Sequence, residues 1–408
     1  MLPVSEAEQL ILSLVRPLQA TDAIEVVDLL AARDRILAAP VTSQLDFPHW
    51  DNSAMDGYAV RFADVQTCRP EQPVELTIVE EIPAGYQPQH AVQAGQAARI
   101  LTGSVMPSGA DTVVMQEETR RQGDLVWILS APKPQAFVRH QGEFYRAGAM
   151  LLPAGIRLGA AEIAVLAAAQ CAKVKVYRRP RVVILSTGSE LVSIEQPLQA
   201  GQIVDSNQYA LAVLIAQAGA EPICLGRIPD EPALLKAAIA QAIATADMVL
   251  SSGGVSVGDY DYVDKILAEL GAEIAIRAVA VKPGKPLTVA TFPTLYFGLP
   301  GNPVSALVSF WRFVLPALRK MSGLAQGWEP VFVNARSQQA LRSDGKRETY
   351  LWGTASLVNG DYEFCPAGGS HSSGNLINLA QTNSLARLSI GQTQVAVGEM
   401  VQVMLSGR

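Results

Sequence analysis

RVVILSTGSE, residues 181–190, decides the fold. RVVILS reads as a buried strand, and it gives way at once to the polar loop Ser186-Thr187-Gly188-Ser189-Glu190. Downstream the alternation is regular. Residues 208–219 read as a helix and PICLG as a strand, and Asp230 is placed to cap a helix running to about 245. MVLSS is a strand, residues 260–270 a helix, and IRAVAV, LTVATF and LYFGLP are strands. Asn302-Pro303 then open a long helix to about 320. Strands alternating with helices of this length predict a three-layer α/β domain with a mostly parallel sheet.

In such sheets ligands bind beyond the carboxyl ends of the strands. Four segments fall there: STGSE (186–190), SSGGVSVGDYD (251–261), KPGKP (282–286) and GLPGNP (298–303). Gly/Ser loops turn backbone N–H groups toward an anion, and a helix beginning Asn-Pro adds free N–H groups at its positive end. Lys282 and Lys285 supply ammonium charges. Glu190, Asp230 and Asp261 suit Mg2+, which takes a few carboxylates together with water and phosphate. Each segment alone reads as an ordinary turn or helix start, and capping alone accounts for Asp230. Four at one end of one sheet point to a site. GxGxxG, GxxxxGK[ST] and HExxH are missing, which argues against the nucleotide and zinc-protease signatures, and Gly188-Ser189-Glu190 is not the GxSxG elbow of an esterase.

The flanks differ in character. Residues 5–16 and 25–39 carry helical apolar spacing, which resumes in AGAMLLPAGIRLGAAEIAVLAAAQCAKV. Residues 46–142 are rich in Pro, Gly and Gln, with short β-prone runs such as VELTIV and TVVMQ. VFVNAR, TYLWGTASL, LARLSI and MVQVML end the chain as strands. The expected organisation is a helical stalk (1–45 and 143–178), an inserted β-rich domain (46–142), the α/β domain (179–326) and a C-terminal β domain (327–408). A chain of 408 residues suits about three domains by length alone. With 49% hydrophobic and 17% charged residues the chain is expected to fold, and a net charge of -6 argues against a dedicated nucleic-acid binder. No apolar run reaches ~18 residues, and MLPVSEAEQLILSLV lacks the basic region and cleavage site of a signal peptide, so a cytoplasmic protein with no membrane partner is expected. Cys68, Cys171, Cys224 and Cys365 are scattered and fit neither a disulfide framework nor a zinc site; His49, His90, His140 and His371 are too dispersed to suggest a triad.

DNSAMDGYA (51–59), LTGSVMPSGADTVVMQEE (101–118), STGSEL, SSGGVSVGDYDYV, KPGKP and GLPGNPVSAL occur in this order, and the chain resembles the molybdopterin molybdenumtransferase family, the MoeA proteins, from about residue 5 to 408. The resemblance implies an elongated homodimer of four-domain chains that uses Mg2+ and molybdate to convert adenylylated molybdopterin into molybdenum-molybdopterin, releasing AMP. A molybdopterin adenylyltransferase is the implied upstream partner. Glu190, Asp230 and Asp261 are then acidic active-site and metal positions. Lys282 and Lys285, with Gly253, Gly254, Ser256 and Gly258, face anionic groups, and Pro300 and Pro303 shape the pocket. Asp56, Thr102 and Arg139 match functional positions of the second domain, which is implied to reach the partner's site.

The chain departs from the family pattern at three places. Phe144 replaces the usual acid of a Gly-Glu-Asp run, Ala278 stands where a basic residue is common, and Trp352 takes the place of a second arginine. These departures leave a second reading open, a divergent paralogue that binds pterin or acts as a scaffold without efficient turnover. Molybdate and tungstate are not separable by sequence.

Overall fold

The computed structural model describes residues 1–18, 23–253 and 263–406. Two compact units emerge: one of residues 1–39, 154–164 and 172–408, the other of residues 40–153 and 165–171.

The first unit opens with helix α1, Val4–Leu14, which buries Val4, Ala7 and Ile11. The helix expected over 25–39 is not formed. Strand β1, Ile24–Asp28, followed by a 3-10 turn at Leu29–Ala32, occupies that stretch. The physical reason is a partner 145 or more residues away: β1 pairs antiparallel with KVKVY near residue 175, and cross-strand pairing of β-branched side chains overrides local helical spacing.

The second unit holds a six-stranded sheet among its described residues. Its strands are β2 (Gly57–Val60), β3 (Val74–Ile82), β4 (Gln96–Ile100), β5 (Thr112–Met115), β6 (Thr119–Gln122) and β7 (Leu125–Ile128), in the order β5-β2-β4-β3-β7-β6. All neighbours are antiparallel except β3 and β4. Tyr58, Val60, Leu76, Val114 and Val126 form one of its cores. The long helical spacing expected at 147–174 is broken up. Met150–Leu152 pairs with Val41–Thr42, helix α2 is confined to Ala160–Ala168, and strand β8, Lys173–Tyr177, is the partner of β1.

The α/β part of the first unit comprises β9 (Arg181–Thr187), α3 (Ser206–Gln217), β10 (Glu221–Ile228), α4 (Pro232–Thr245), β11 (Met248–Ser252), α5 (Val263–Glu269), β12 (Glu273–Ala278), β13 (Val281–Lys282), β14 (Pro286–Thr291) and β15 (Leu295–Leu299). The sheet order is β10-β9-β11-β15-β14-β12, with the first four strands parallel and β14 antiparallel to both neighbours. Alternate side chains of β9 enter two cores. Val182 and Ile184 meet α1 and α3 on one face, and Val183 and Leu185 meet α4 and α5 on the other. Burying each such side chain contributes roughly 1.5–3 kcal/mol. The expected strand IRAVAV divides: β12 ends at Ala278, and β13 joins the next sheet instead.

A helical run follows as α6 (Pro303–Ser309), a π-helical turn (Phe310–Val314) and α7 (Leu315–Met321). The C-terminal sheet has β16 (Phe332–Ser337), β17 (Glu348–Val358), β18 (Asp361–Pro366), β19 (Ser384–Leu388) and β20 (Met400–Leu405). The β17–β19 pairing closes these five strands into a barrel, and β13 pairs with β17 at its edge. No helix among the described residues is long and apolar enough to cross a membrane.

Arg312, 4% exposed, donates to both oxygens of Glu8 on α1, at 2.6 and 2.8 Å. Glu8→Ala strands that buried guanidinium, and we expect a loss of about 3 kcal/mol in urea unfolding of the full chain. The double variant Glu8→Leu/Arg312→Met, which removes both charges, should recover most of it. Equal stability of Glu8→Ala and wild type would show that the pair contributes nothing.

Candidate active site

The parallel strands β9, β10, β11 and β15 end at one edge, and the chain crosses from β10 over β9 to β11, which makes a topological switch point. A cavity of about 760 Å³ lies there. Of the residues expected at the site, Glu190, Asp230, Gly253, Pro300 and Pro303 line it. Gly254, Ser256, Gly258 and Asp261 lie outside the described residues.

Asp230 is not the cap of α4. That position belongs to Glu231, which makes no side-chain capping bond. Asp230 Oδ2 instead accepts the Ser189 backbone N–H at 2.9 Å, so the carboxylate braces the loop after β9. Gly188 has φ +150°, and a Cβ there would lie 2.8 and 2.9 Å from the two carboxylate oxygens of Glu190. Only glycine lets Glu190 fold back over this turn. Gly253, at φ +91°, brings the end of β11 against β9: a Cβ would sit 2.4 Å from the Thr187 carbonyl oxygen.

The lysines do not line the cavity. Lys282 Nζ pairs with Asp344 at 3.0 Å, and this bond foremost holds the Asp344 carboxyl below its ordinary pKa. Lys285 is exposed, and its neighbour Pro286 is the part of KPGKP that reaches the cavity wall. The helix start at Asn302-Pro303 is also less open than expected, because the Val304 N–H donates to the Ser373 carbonyl at 3.1 Å.

Sequence reasoning missed several lining residues. Asp205 and Asn207 stand at the start of α3, and Gly374 and Leu376 come from the loop between β18 and β19. Asp205-Ser206-Asn207 carried a legible cap signal; nothing marked Gly374. The charged groups lining the cavity are therefore Glu190, Asp205 and Asp230, with no Lys or Arg among the described lining residues. Water-accessible Glu190 and Asp230, on adjoining loops, are hard oxygen donors of the kind Mg2+ takes, so the donor set fits that ion.

In the second unit Asp56 and Thr102 meet. One Asp56 oxygen accepts both the Thr102 N–H (2.7 Å) and its hydroxyl (2.8 Å). These bonds, backbone first, with Arg99 nearby, hold the Asp56 carboxyl below its ordinary pKa. Arg139 lies opposite Asn52 in a short antiparallel pair. Phe144 is exposed, whereas Trp352 is fully buried and donates from Nε1 to Asn378 at 2.9 Å.

Three family models match the chain: the MoeA N-terminal region (domain I and II) over residues 2–169, the probable molybdopterin binding domain over 183–320, and the MoeA C-terminal region (domain IV) over 334–406. The middle match coincides with the α/β sheet that carries the cavity, which defines a molybdopterin-binding class of protein. A molybdopterin molybdenumtransferase of Nostoc sp. (strain PCC 7120) is 64% identical over 405 residues, spanning 98% of this chain and 93% of the relative. One from Synechococcus elongatus is 35% identical, spanning 98% of this chain and 99% of the relative. The crystal structure of a molybdopterin biosynthesis moeA protein from Pyrococcus horikoshii OT3 superposes with a TM-score of 0.86 at 31% identity, over 99% of this chain and 100% of that one. The chain belongs to the MoeA family of molybdopterin molybdenumtransferases, the transferases of molybdenum cofactor biosynthesis.

Gly253→Ala drives a Cβ into the Thr187 backbone. We expect activity to fall at least ~10²-fold, about 2.7 kcal/mol of barrier, with unchanged circular dichroism. Gly368→Ala, at a position where a Cβ meets nothing within 4 Å, serves as the neutral control. Wild-type activity in Gly253→Ala would remove this close approach from the site.

Proposed function

We propose that the chain inserts molybdenum from molybdate into adenylylated molybdopterin, with Mg2+, and releases AMP. The observation that carries the reading is the convergence of Glu190, Asp230, Gly253, Pro300 and Pro303 on one cavity at the switch point. A phosphoanhydride is strongly anionic, yet the charged residues described there are carboxylates. Such a substrate enters only with a compensating cation, which supports the Mg2+ requirement. Glu190 and Asp230 would hold the ion, with Asp261 as a third candidate. When bound, Mg2+ supplies charge neutralisation at the phosphoanhydride oxygens. Asp230 keeps the Ser189 loop in place, and Glu190, turned back by Gly188, presents its oxygens at the loop that receives the phosphates. Pro300 and Pro303 contribute to the wall of the same cavity.

The reading extends to a cytoplasmic homodimer, to the four-part division of the chain at 45, 142, 178 and 326, and to a molybdopterin adenylyltransferase as the upstream supplier. Incubation with adenylylated molybdopterin, Mg2+ and molybdate tests it. We expect AMP release matched by protein- or pterin-bound molybdenum, and Glu190→Gln should lower it at least ~10²-fold. Pterin binding with no AMP release would overturn the transferase reading and leave a pterin-binding scaffold.

A basic group, Arg139, comes to the cavity in this reading from the partner subunit. Arg139, Asp56 and Thr102 act on the partner subunit's cavity, as a twofold dimer repeats each cross-contact. Asp56→Asn and Glu190→Gln, each inactive alone, are mixed and allowed to exchange subunits. Shared sites should restore roughly a quarter of wild-type activity, since about half the dimers carry one intact site of two. No recovery with verified exchange rejects the shared site.

A further inference from the structure

Another cavity, of about 100 Å³, shares no described lining residue with the acidic one. Its charged walls are Arg35, Arg157, Arg178, Arg179 and Arg319 against a single acid, Asp34. Backbone bonds bring these segments together. The Asp34 N–H donates to the Leu158 carbonyl, the Tyr177 N–H to the Ile36 carbonyl, and the Ala325 N–H, just past α7, to the Gly155 carbonyl, each at 2.9 Å. Arg35 is paired with Glu25 at 2.5 Å, Arg157 with Asp34 at 2.9 Å and Arg178 with Asp247 at 2.7 Å. Arg319 differs. It is half-buried on the last turn of α7, and among the described residues its guanidinium has no hydrogen bond or ion pair. Burial first, and then the charge of Arg157, push its pKa below the ordinary arginine value. Arg179, which is exposed, also has no acidic partner among the described residues.

A half-buried guanidinium beside a like charge is unfavourable until an anion joins it. The carbonyl ends of α3 and α7 meet the same cavity and oppose an anion, but they amount to about one negative charge together, against the two positive charges of Arg179 and Arg319. The volume is well below the roughly 300–1,000 Å³ of sites for drug-sized ligands, which excludes a nucleotide or a pterin and leaves room for a small inorganic ion. We propose that this cavity binds a tetrahedral oxyanion, of the class of phosphate, sulfate and molybdate, through Arg319 with Arg157 and Arg179. Each guanidinium offers paired N–H donors that match two oxygens of such an ion. The site is separate from the acidic cavity: α3 starts at the acidic wall and ends here, and its 12 residues span ~18 Å.

The test follows the melting temperature of the full chain in EDTA, at constant ionic strength, as phosphate, sulfate or molybdate is added. An ion that binds the native state raises it in a saturable way. Wild type should respond to at least one of the three, and Arg319→Met should weaken that ion's affinity ~10-fold or more. Without added anion Arg319→Met should melt no lower than wild type, because it removes an unpartnered charge. Asp34 has φ +63°, which asparagine tolerates, so Asp34→Asn keeps the turn while removing the one acid of the cavity. It should tighten binding ~threefold. An undiminished response in Arg319→Met overturns the proposal; together with a lower melting temperature it would make Arg319 a charge that serves only the carbonyl end of α7. No saturable response of wild type to any of the three ions overturns it as well. Turnover separates the sources. A raised KM for molybdate in Arg319→Met assigns the site to the reaction's own oxyanion, an unchanged KM assigns it to phosphate or sulfate, and either result upholds the site.

Discussion

One buried guanidinium holds the first unit together. Arg312 sits in the π-helical turn between α6 and α7, where an extra residue per turn shifts the side-chain register. Burial is the largest single influence and disfavours its charge, but the hydrogen bond to Glu8 together with the charges of Tyr350, Glu8 and Glu348 outweighs it, and the net shift is upward. Its Nε donates to the Tyr350 hydroxyl at 3.0 Å, and that hydroxyl donates to Glu348 at 2.7 Å. The Glu348 backbone N–H then reaches the Ala280 carbonyl at 3.0 Å. Helix α1, the α6–α7 run, the barrel strand β17 and the start of KPGKP are thus tied to one charge. A charge this buried must keep its partners, so their mutual placement is strongly constrained.

That constraint explains why the cavity can be built from distant segments. α6 begins at the cavity wall, and the helical run it opens leads directly into the Arg312 turn. The loop after β18 supplies Gly374 and Leu376 to the same cavity and covers the α6 start through the Ser373 carbonyl. Trp352 belongs to this support. Fully buried, it packs against His371 with the rings tilted by 56° and their centroids 4.4 Å apart, and it holds Asn378, which in turn donates to the Gly368 and Ser370 carbonyls. The departure from a second arginine is thus a packing substitution beneath the covering loop: a guanidinium at this fully buried place would need a partner of its own.

The α/β sheet was legible because each of its signals is local. Continuous apolar runs, loops at their ends and a proline at the first helical turn all follow from nearest-neighbour chemistry. The N-terminal region was not, because β1 is a strand only by virtue of β8, and no window around 24–28 contains that information. Asp230 shows the same limit at a single residue. Asp followed by Glu-Pro and an apolar run is a reasonable cap in isolation, yet the chain turns one residue later and frees the carboxylate for Ser189. Lys282 illustrates the converse. Two lysines around Pro-Gly look built for one anion, and the counter-charge on Asp344 lies 62 residues on.

The cavity's charge is the more consequential correction. Sequence spacing placed Lys282, Lys285 and N–H-rich loops there beside Glu190, Asp230 and Asp261, whereas the described walls carry carboxylates and no Lys or Arg. An acidic pocket for an anionic substrate is unfavourable unless cations come from outside the wall. On the reading proposed above, entry is conditional: without a cation the phosphoanhydride would meet like charge, and with one the same carboxylates would become its ligands. A pocket lined with arginine would bind any such anion, whereas on that reading this one would admit an anion only together with a cation.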